Sequence, residues 1–288
     1  MKAYDEAVRL LPVKTAAVIG REAENAEEFR LRTGFEATAL VAGTEMPLGG
    51  GIISQSDIST VIEKATGASV HAFKEDIAKG FIGCRYGIRI GLCGTGVYGS
   101  GQIITLRDIS SLCIRIPHEV HGCAEGAVSA VLDKGNTNIL ILSPPGCGKT
   151  TLVRDCVRML SDSGVRVSVA DERGEIAAVL EGKPQFEVGR SCDIMTDVPK
   201  SQAVMMMLRS MNPQVIVMDE ISSPEDISAA QSAAGCGVRI IATAHAAEIR
   251  DLYLRPVYRE LIKSGIFTDA VIINNKNGQR SYSCEVIA

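Results

Sequence analysis

Residues 138–160 read NILILSPPGCGKTTLVRDCVRML: an apolar run, a glycine-rich turn and an amphipathic helical pattern in direct succession. The turn holds Gly146, Gly148, Lys149 and Thr150 at the spacing of a phosphate-binding loop. That chemistry needs glycines so that backbone amides point inward, a lysine that reaches the β and γ phosphates, and a hydroxyl that binds magnesium. A strand before the loop and a helix after it would place a phosphate at the helix N-terminus, where unpaired N–H groups and the helix dipole favour an anion. The expected nucleotide-binding residues are therefore Pro145, Gly146, Cys147, Gly148, Lys149, Thr150 and Thr151, with Thr150 also a metal ligand. Ser143 stands where such loops begin with glycine, but that glycine mainly relieves crowding at the strand end, and Pro144-Pro145 stiffens the entry. Cys147 reads either as loop filling or as a redox-sensitive thiol, whose pKa a helix N-terminus can lower.

Outward from this stretch, short apolar runs alternate with helical patterns, which predicts βαβ units and a mainly parallel sheet. Strands are expected at 138–143, 166–171, 214–219, 239–244 and 269–274, and helices at about 149–162, 200–211, 224–235 and 247–263. The run QVIVMDEI ends in Asp219, placed to hold a magnesium shell, and Glu220, placed to polarise a water. Two other runs end in polar groups: ADERGEI with Glu172, and ATAH with His245. In an open parallel sheet a ligand sits outside the carboxyl ends of the strands, so Glu172 and His245 should converge on the same phosphate as sensors or water-orienting groups. The chain's end reads as a hairpin turning at Asn275-Lys-Asn-Gly278.

Residues 1–117 have a different texture. Helical pieces at 2–11 and 56–66, the second with Ser54 and Ser56 as candidate caps, precede a glycine-rich run, GFIGCRYGIRIGLCGTGVYGSG (80–101), read as several short antiparallel strands. These glycines are followed by no helical pattern, which argues against a dinucleotide fingerprint. The expected organisation is a smaller α+β domain, 1–117, followed by a P-loop α/β domain, 118–288. His118, His121 and Cys123 offer three potential metal ligands in six residues, but no second cluster follows at metal spacing, so a polar linker is the better reading.

The 288 residues carry a net charge of −4, so no global basic field favours nucleic acid or an anionic membrane. Aromatic residues make up 4%, with no tryptophan, leaving few stacking platforms for single strands; EFRLR (28–32) or Arg85, Arg89, Arg107 and Arg115 could still bind phosphates. Nine cysteines, odd in number and without a Cys-x-x-Cys pair, read as reduced thiols of a cytoplasmic protein. No apolar run approaches the ~18 residues of a membrane span, and the amphipathic start lacks the apolar core of a signal peptide.

The phosphate loop, DERGEIAA, VGRSCDIM, PKSQAVMMMLRSMNPQVIVMDEI and ATAH, in that order, together with EEFRLRTG, YGIRIGLCGTGV and DISSLCIRI earlier, resemble the stage III sporulation protein AA family over nearly the whole chain. That pattern carries glycine where Ser143, Ser222 and Ala246 stand. The resemblance implies a RecA-like ATPase related to type II and type IV secretion ATPases, using ATP and Mg2+, assembled as a homo-hexamer and docked on membrane proteins of the sporulation channel between mother cell and forespore. It implies a cytoplasmic, peripheral position on the mother-cell side, with Glu172 and His245 in the places of the family's acidic and histidine boxes. Such rings complete each site with a neighbour's arginine; Arg190 and Arg209 are the candidates, each equally readable as a salt-bridge partner. A nucleic-acid-dependent translocase and a nucleotide-gated scaffold remain the alternative readings.

Overall fold

The computed structural model describes residues 2–99, 101–127, 129, 138–144, 146–276 and 279–287. They form two compact units, Met1–His118 with Leu180–Gln185, and Glu119–Val179 with Phe186–Ala288. Nothing in the sequence between 175 and 190 marks the short excursion into the first unit. There the backbone N–H of Tyr86 donates to Gln185 Oε1 at 2.9 Å.

The first unit is built on six antiparallel strands: β1 (Glu28–Arg32), β2 (Glu36–Val41), β3 (Thr44–Ile52), β4 (Phe81–Gly83), β5 (Arg89–Gly99) and β6 (Gln102–Arg115), in the order β3-β2-β1-β6-β5-β4. Alternation in β1 buries Phe29 and Leu31 in one core with Ile114 of the adjacent β6 and Ile90 of β5. The helix Gln55–Ala65 starts at Ser54, whose side chain accepts from the Asp57 N–H while Asp57 accepts from the Ser54 N–H, and it buries Ile58 and Val61 in that core.

The strands of the glycine-rich run are antiparallel as expected, and β4 is short, but β5 and the following β6 are not. β5 and β6 form one long hairpin of 11 and 14 residues: Gly91, Gly96 and Gly99 stay in the pairing, and register shifts at Cys93/Thr95 and Val97/Tyr98 take up the irregularities as bulges. Gly94 lies at the first of these, where a Cβ would come within 2.7 Å of the Arg107 carbonyl oxygen.

The second unit holds β7 (Ile139–Leu142), β8 (Val167–Asp171), β9 (Cys192–Thr196), β10 (Val215–Glu220), β11 (Arg239–Ala244), β12 (Asp269–Lys276) and β13 (Gln279–Val286). Their order is β13-β12-β7-β11-β10-β8-β9, with β13 antiparallel and every other pairing parallel. The residues of the hairpin turn at 277–278 lie outside the described residues.

Both faces of the sheet are covered, which is why its strands read as unbroken apolar runs. Ile139, Ile141, Val215, Val217 and Ile241 pack with Leu152, Val153, Val157 and Leu160 of the helix Lys149–Asp162. On the other face Leu140, Leu142, Ile216, Met218 and Ile240 meet Ala203, Val204 and Met207 of the helix Lys200–Ser210 and Ala229, Ala230 and Ala233 of the helix Pro224–Gly235. Within MMM (205–207) only Met207 is fully buried, since successive helical residues point about 100° apart; Met206 is exposed. The expected helix 247–263 is two, Ile249–Leu252 and Pro256–Lys263, because the ring of Pro256 excludes the helical conformation at Arg255.

Candidate functional site

The parallel pairing fixes which strand ends meet. β7 leads into the loop, and beside it run β11, then β10, then β8, so Ser143, His245, Asp219-Glu220 and Asp171-Glu172 stand in that order along one edge of the sheet. Glu172 and His245 thus stand on the same edge, with β10 between their strands.

The loop itself is shaped by two left-handed glycines, Gly146 at φ 75° and Gly148 at φ 100°, the latter capping the helix Lys149–Asp162. A side chain at either would be strained, so these glycines are required by conformation. Ser143 is fully buried, and its hydroxyl donates to the Pro144 carbonyl at 2.9 Å, so serine closes a local bond where glycine would leave room. Pro145 lies outside the described residues. Cys147 is half-buried, and Thr150 and Thr151 open the helix.

Lys149 is buried within this turn. Its ammonium donates to the Ser143 carbonyl at 3.0 Å, to the Pro144 carbonyl at 3.2 Å and to His245 Nδ1 at 2.7 Å. Burial lowers its pKa below the ordinary lysine range, while Glu220, Cys147 and Asp219 pull the other way. His245 Nε2 lies 2.9 Å from Glu220 Oε2. Since Nδ1 accepts from Lys149, the ring proton is assigned to Nε2, where it donates to the carboxylate. Lys149 from the helix start and the histidine and glutamate from two strand ends thus form one bonded chain.

A register shift in β10 puts Asp219 and Glu220 side by side at this edge: Met218 pairs with Ala242, and Glu220 pairs with the next residue, Thr243. Asp219 is the extra residue of a bulge, which breaks the strict alternation that would send the two carboxylates to opposite faces. Thr243, buried at the level of Glu220 and on the face covered by Lys149–Asp162, has a hydroxyl without a hydrogen-bond partner among the described residues.

Glu172 is tied to a residue that the sequence reading did not select. Its carboxylate accepts from the nearly buried Lys200 ammonium at 2.8 Å, and that bond holds its pKa below the ordinary glutamate range. Lys200 lies 3.9 Å from Asp226, the box residue that caps the helix Pro224–Gly235.

The loop following β8 is pinned from two sides. Asp171, fully buried, accepts from the N–H groups of Glu175, Ile176 and Ala177 at 2.9, 3.1 and 2.9 Å. Arg154, from the helix that begins at the phosphate loop, donates to the carbonyls of Ile176 and Glu175 at 2.7 and 2.8 Å and stacks on Phe186. No local pattern singles out Arg154, since residues 152–160 also carry Asp155 and Arg158.

The two arginines are placed differently. Arg190 donates to the Asp162 carbonyl at 3.2 Å, at the C-terminal end of the 14-residue helix Lys149–Asp162. That is ~20 Å from the phosphate loop at 1.5 Å per residue. Arg209 is exposed, and no hydrogen bond or salt bridge to it forms among the described residues. Of the polar linker, His118 Nε2 lies 2.9 Å from the Ala26 carbonyl, and no group of three metal-ligating side chains occurs among the described residues.

Comparison with known proteins gives a consistent result. The family model described as sporulation stage III, protein AA matches residues 2–282. Stage III sporulation protein AA of Bacillus subtilis (strain 168) is 36% identical over 233 residues, 79% of this chain and 76% of that protein. Among solved structures, the Legionella pneumophila ATPase DotB superposes with a TM-score of 0.61 at 17% identity, over 99% of this chain and 79% of that one. The pilus retraction motor PilT, crystallised with ADP, gives 0.61 at 16% identity over 96% and 82%. At such identities the likeness is one of fold: a mixed-sheet α/β architecture shared with the ATPase DotB and the pilus retraction motor PilT.

Proposed function

The chain belongs to the sporulation stage III, protein AA family, and from that premise we propose that it is a RecA-like, ATP-hydrolysing motor of the secretion-ATPase class. It works as a homo-hexamer docked on membrane proteins of the sporulation channel, from the cytoplasmic, mother-cell side; among the described residues no helix is long and apolar enough to cross a membrane. One observation carries the reading: the phosphate loop, His245 and Glu220 meet at one sheet edge in a bonded chain, with Glu172 on the next strand.

The loop amides and Lys149 take the phosphates, and one of Lys149's present oxygen or nitrogen partners gives way to a phosphate oxygen. Because Glu220 Oε2 already accepts from His245, its second oxygen is left to accept a proton from the attacking water. The water oxygen bonds to the γ phosphorus, the bond from that phosphorus to the β–γ bridging oxygen breaks, and ADP leaves with phosphate. The Thr150 hydroxyl and Asp219 carboxylate, both hard oxygen donors, suit Mg2+, and the unpartnered Thr243 hydroxyl adds a third oxygen at the level of Glu220 on the helix-covered face. When bound, the ion supplies charge neutralisation along the phosphates. Glu172, held by Lys200, acts as a sensor from the next strand. Arg209 is the better arginine to cross into a neighbour's site, since Arg190 is engaged at the far end of its own helix.

The nucleic-acid reading has less support, because four of its six candidate arginines are occupied. Arg30 pairs with Glu28, Arg32 with Glu45 and Arg107 with Asp108, while Arg89 lies over the Phe81 ring. Phosphate release with and without single-stranded DNA, alongside solution mass with ATP, separates the readings. The motor reading expects turnover indifferent to DNA and a nucleotide-dependent particle of six 30.6 kDa chains. DNA-stimulated turnover with salt-sensitive binding would instead establish a translocase, and nucleotide binding without turnover in any assembly would establish a scaffold.

A further inference from the structure

We propose that Arg280, on the last strand, is a phosphate-binding residue of the same subunit's site, clamping the nucleotide against the loop from the side opposite Lys149. This inference rests on the nucleotide-site reading above and adds a residue that lies 131 positions after Lys149, outside every motif of that site.

The topology brings Arg280 there. β12 runs parallel to β7 with Ile272 opposite Leu142, and continues to Lys276, so the β12–β13 hairpin overhangs the edge from which the phosphate loop springs. Arg280 pairs with Asn275, three residues beyond that level. Two residues along, Tyr282 pairs with Ile273, which is buried in the core beneath the helix Lys149–Asp162; by alternation Arg280 lies on that same face.

The approach is close. A Cβ built on Gly148 would stand 3.1 Å from the Arg280 Cζ, 3.2 Å from Nε and 3.3 Å from Nη1. The guanidinium therefore lies against the glycine that caps the helix, the position whose flanking N–H groups cradle the α and β phosphates in a loop of this kind. Arg280 is exposed, and no hydrogen bond or salt bridge to it forms among the described side chains. A charged fork of five donors with no carboxylate bonded to it among the described residues, beside a loop of inward N–H groups, matches a phosphate in charge and geometry. The contact also gives Gly148 a second constraint: besides its φ of 100°, any side chain there would displace the guanidinium.

A contact to the α and β phosphates is made equally with ATP and ADP, which separates it from an arginine that acts only on the transferring γ phosphoryl group. Equilibrium binding of fluorescent ATP and ADP analogues is measured for the wild type, Arg280→Ala, Arg280→Lys and Lys149→Ala. Arg280→Ala is expected to weaken both nucleotides by the same factor, about ten- to hundredfold for a charged hydrogen bond, with Arg280→Lys in between. Melting of the protein without nucleotide stays within a degree or two, since the side chain is exposed. If Arg280→Ala binds both nucleotides as the wild type does while Lys149→Ala does not, the inference fails and the nucleotide site stands. Loss confined to ATP also overturns it, as a γ-phosphate contact. A wild type that binds neither nucleotide overturns the site reading and this inference with it.

Discussion

Glu220→Gln is expected to bind ATP about as tightly as the wild type while hydrolysing it ~10²–10⁴-fold more slowly, a barrier increase of about 3–5 kcal/mol. The amide keeps an oxygen to accept from His245 Nε2, which lies 2.9 Å from the carboxylate, so the bonded chain to Lys149 and the shape of the edge survive. What disappears is the negative, proton-accepting oxygen left for water. Glu220 raises the pKa of Lys149 against the effect of burial, but the amide also removes a negative charge beside the phosphates, so nucleotide affinity changes little. Nucleotide titration and steady-state phosphate release on the same preparation check this. Undiminished turnover would remove Glu220 from the mechanism.

Asp171→Ala is expected to cost about 3–5 kcal/mol of stability in the second unit, the largest single-residue effect away from the apolar core. Three backbone N–H groups, of Glu175, Ile176 and Ala177, donate to this one buried carboxylate, and two of them belong to fully buried residues. Alanine leaves them without an acceptor at ~1–3 kcal/mol each, less what water recovers at the half-exposed end. At a urea slope of about 2 kcal/mol per M the midpoint falls by roughly 1.5–2.5 M. Burial keeps the Asp171 carboxyl above its ordinary range against the lowering pull of those three N–H groups. A neutral Asn, which retains one acceptor oxygen, should therefore recover more than half of the loss. A midpoint shift below ~0.5 M for Asp171→Ala would mean that the loop after β8 is held by Arg154 alone.

The parts of this site legible in sequence were those whose chemistry is local. Gly146 and Gly148 adopt the left-handed conformation their loop demands, and Ser143 replaces a glycine at no conformational cost. Strands covered on both faces announce themselves as apolar runs, and their parallel order puts Glu172, Glu220 and His245 along one edge of the sheet. β9 was missed because it is an edge strand: CDIMT is half-buried throughout and carries no apolar run or alternation. The long β5–β6 hairpin was misread because glycine signals a break locally, whereas its bulges are settled by the partner strand.

Lys200, Arg154 and Arg280 depend on elements far apart in the chain, and no spacing rule points to them. The ion pair of Lys200 with Glu172 links a helix start to a strand end 28 residues earlier. Arg280 reaches Gly148 only because the last hairpin overhangs the edge of the sheet.

The central claim is that the phosphate loop and its neighbouring strand ends make one hydrolytic site. Phosphate release from Mg-ATP by the assembled wild type, beside Lys149→Ala at equal concentration, tests it most directly. The account predicts sustained release by the wild type and background release by the variant, since no other described group replaces the buried ammonium at His245 and the loop carbonyls. Equal release by the two, or none by the wild type, would contradict it.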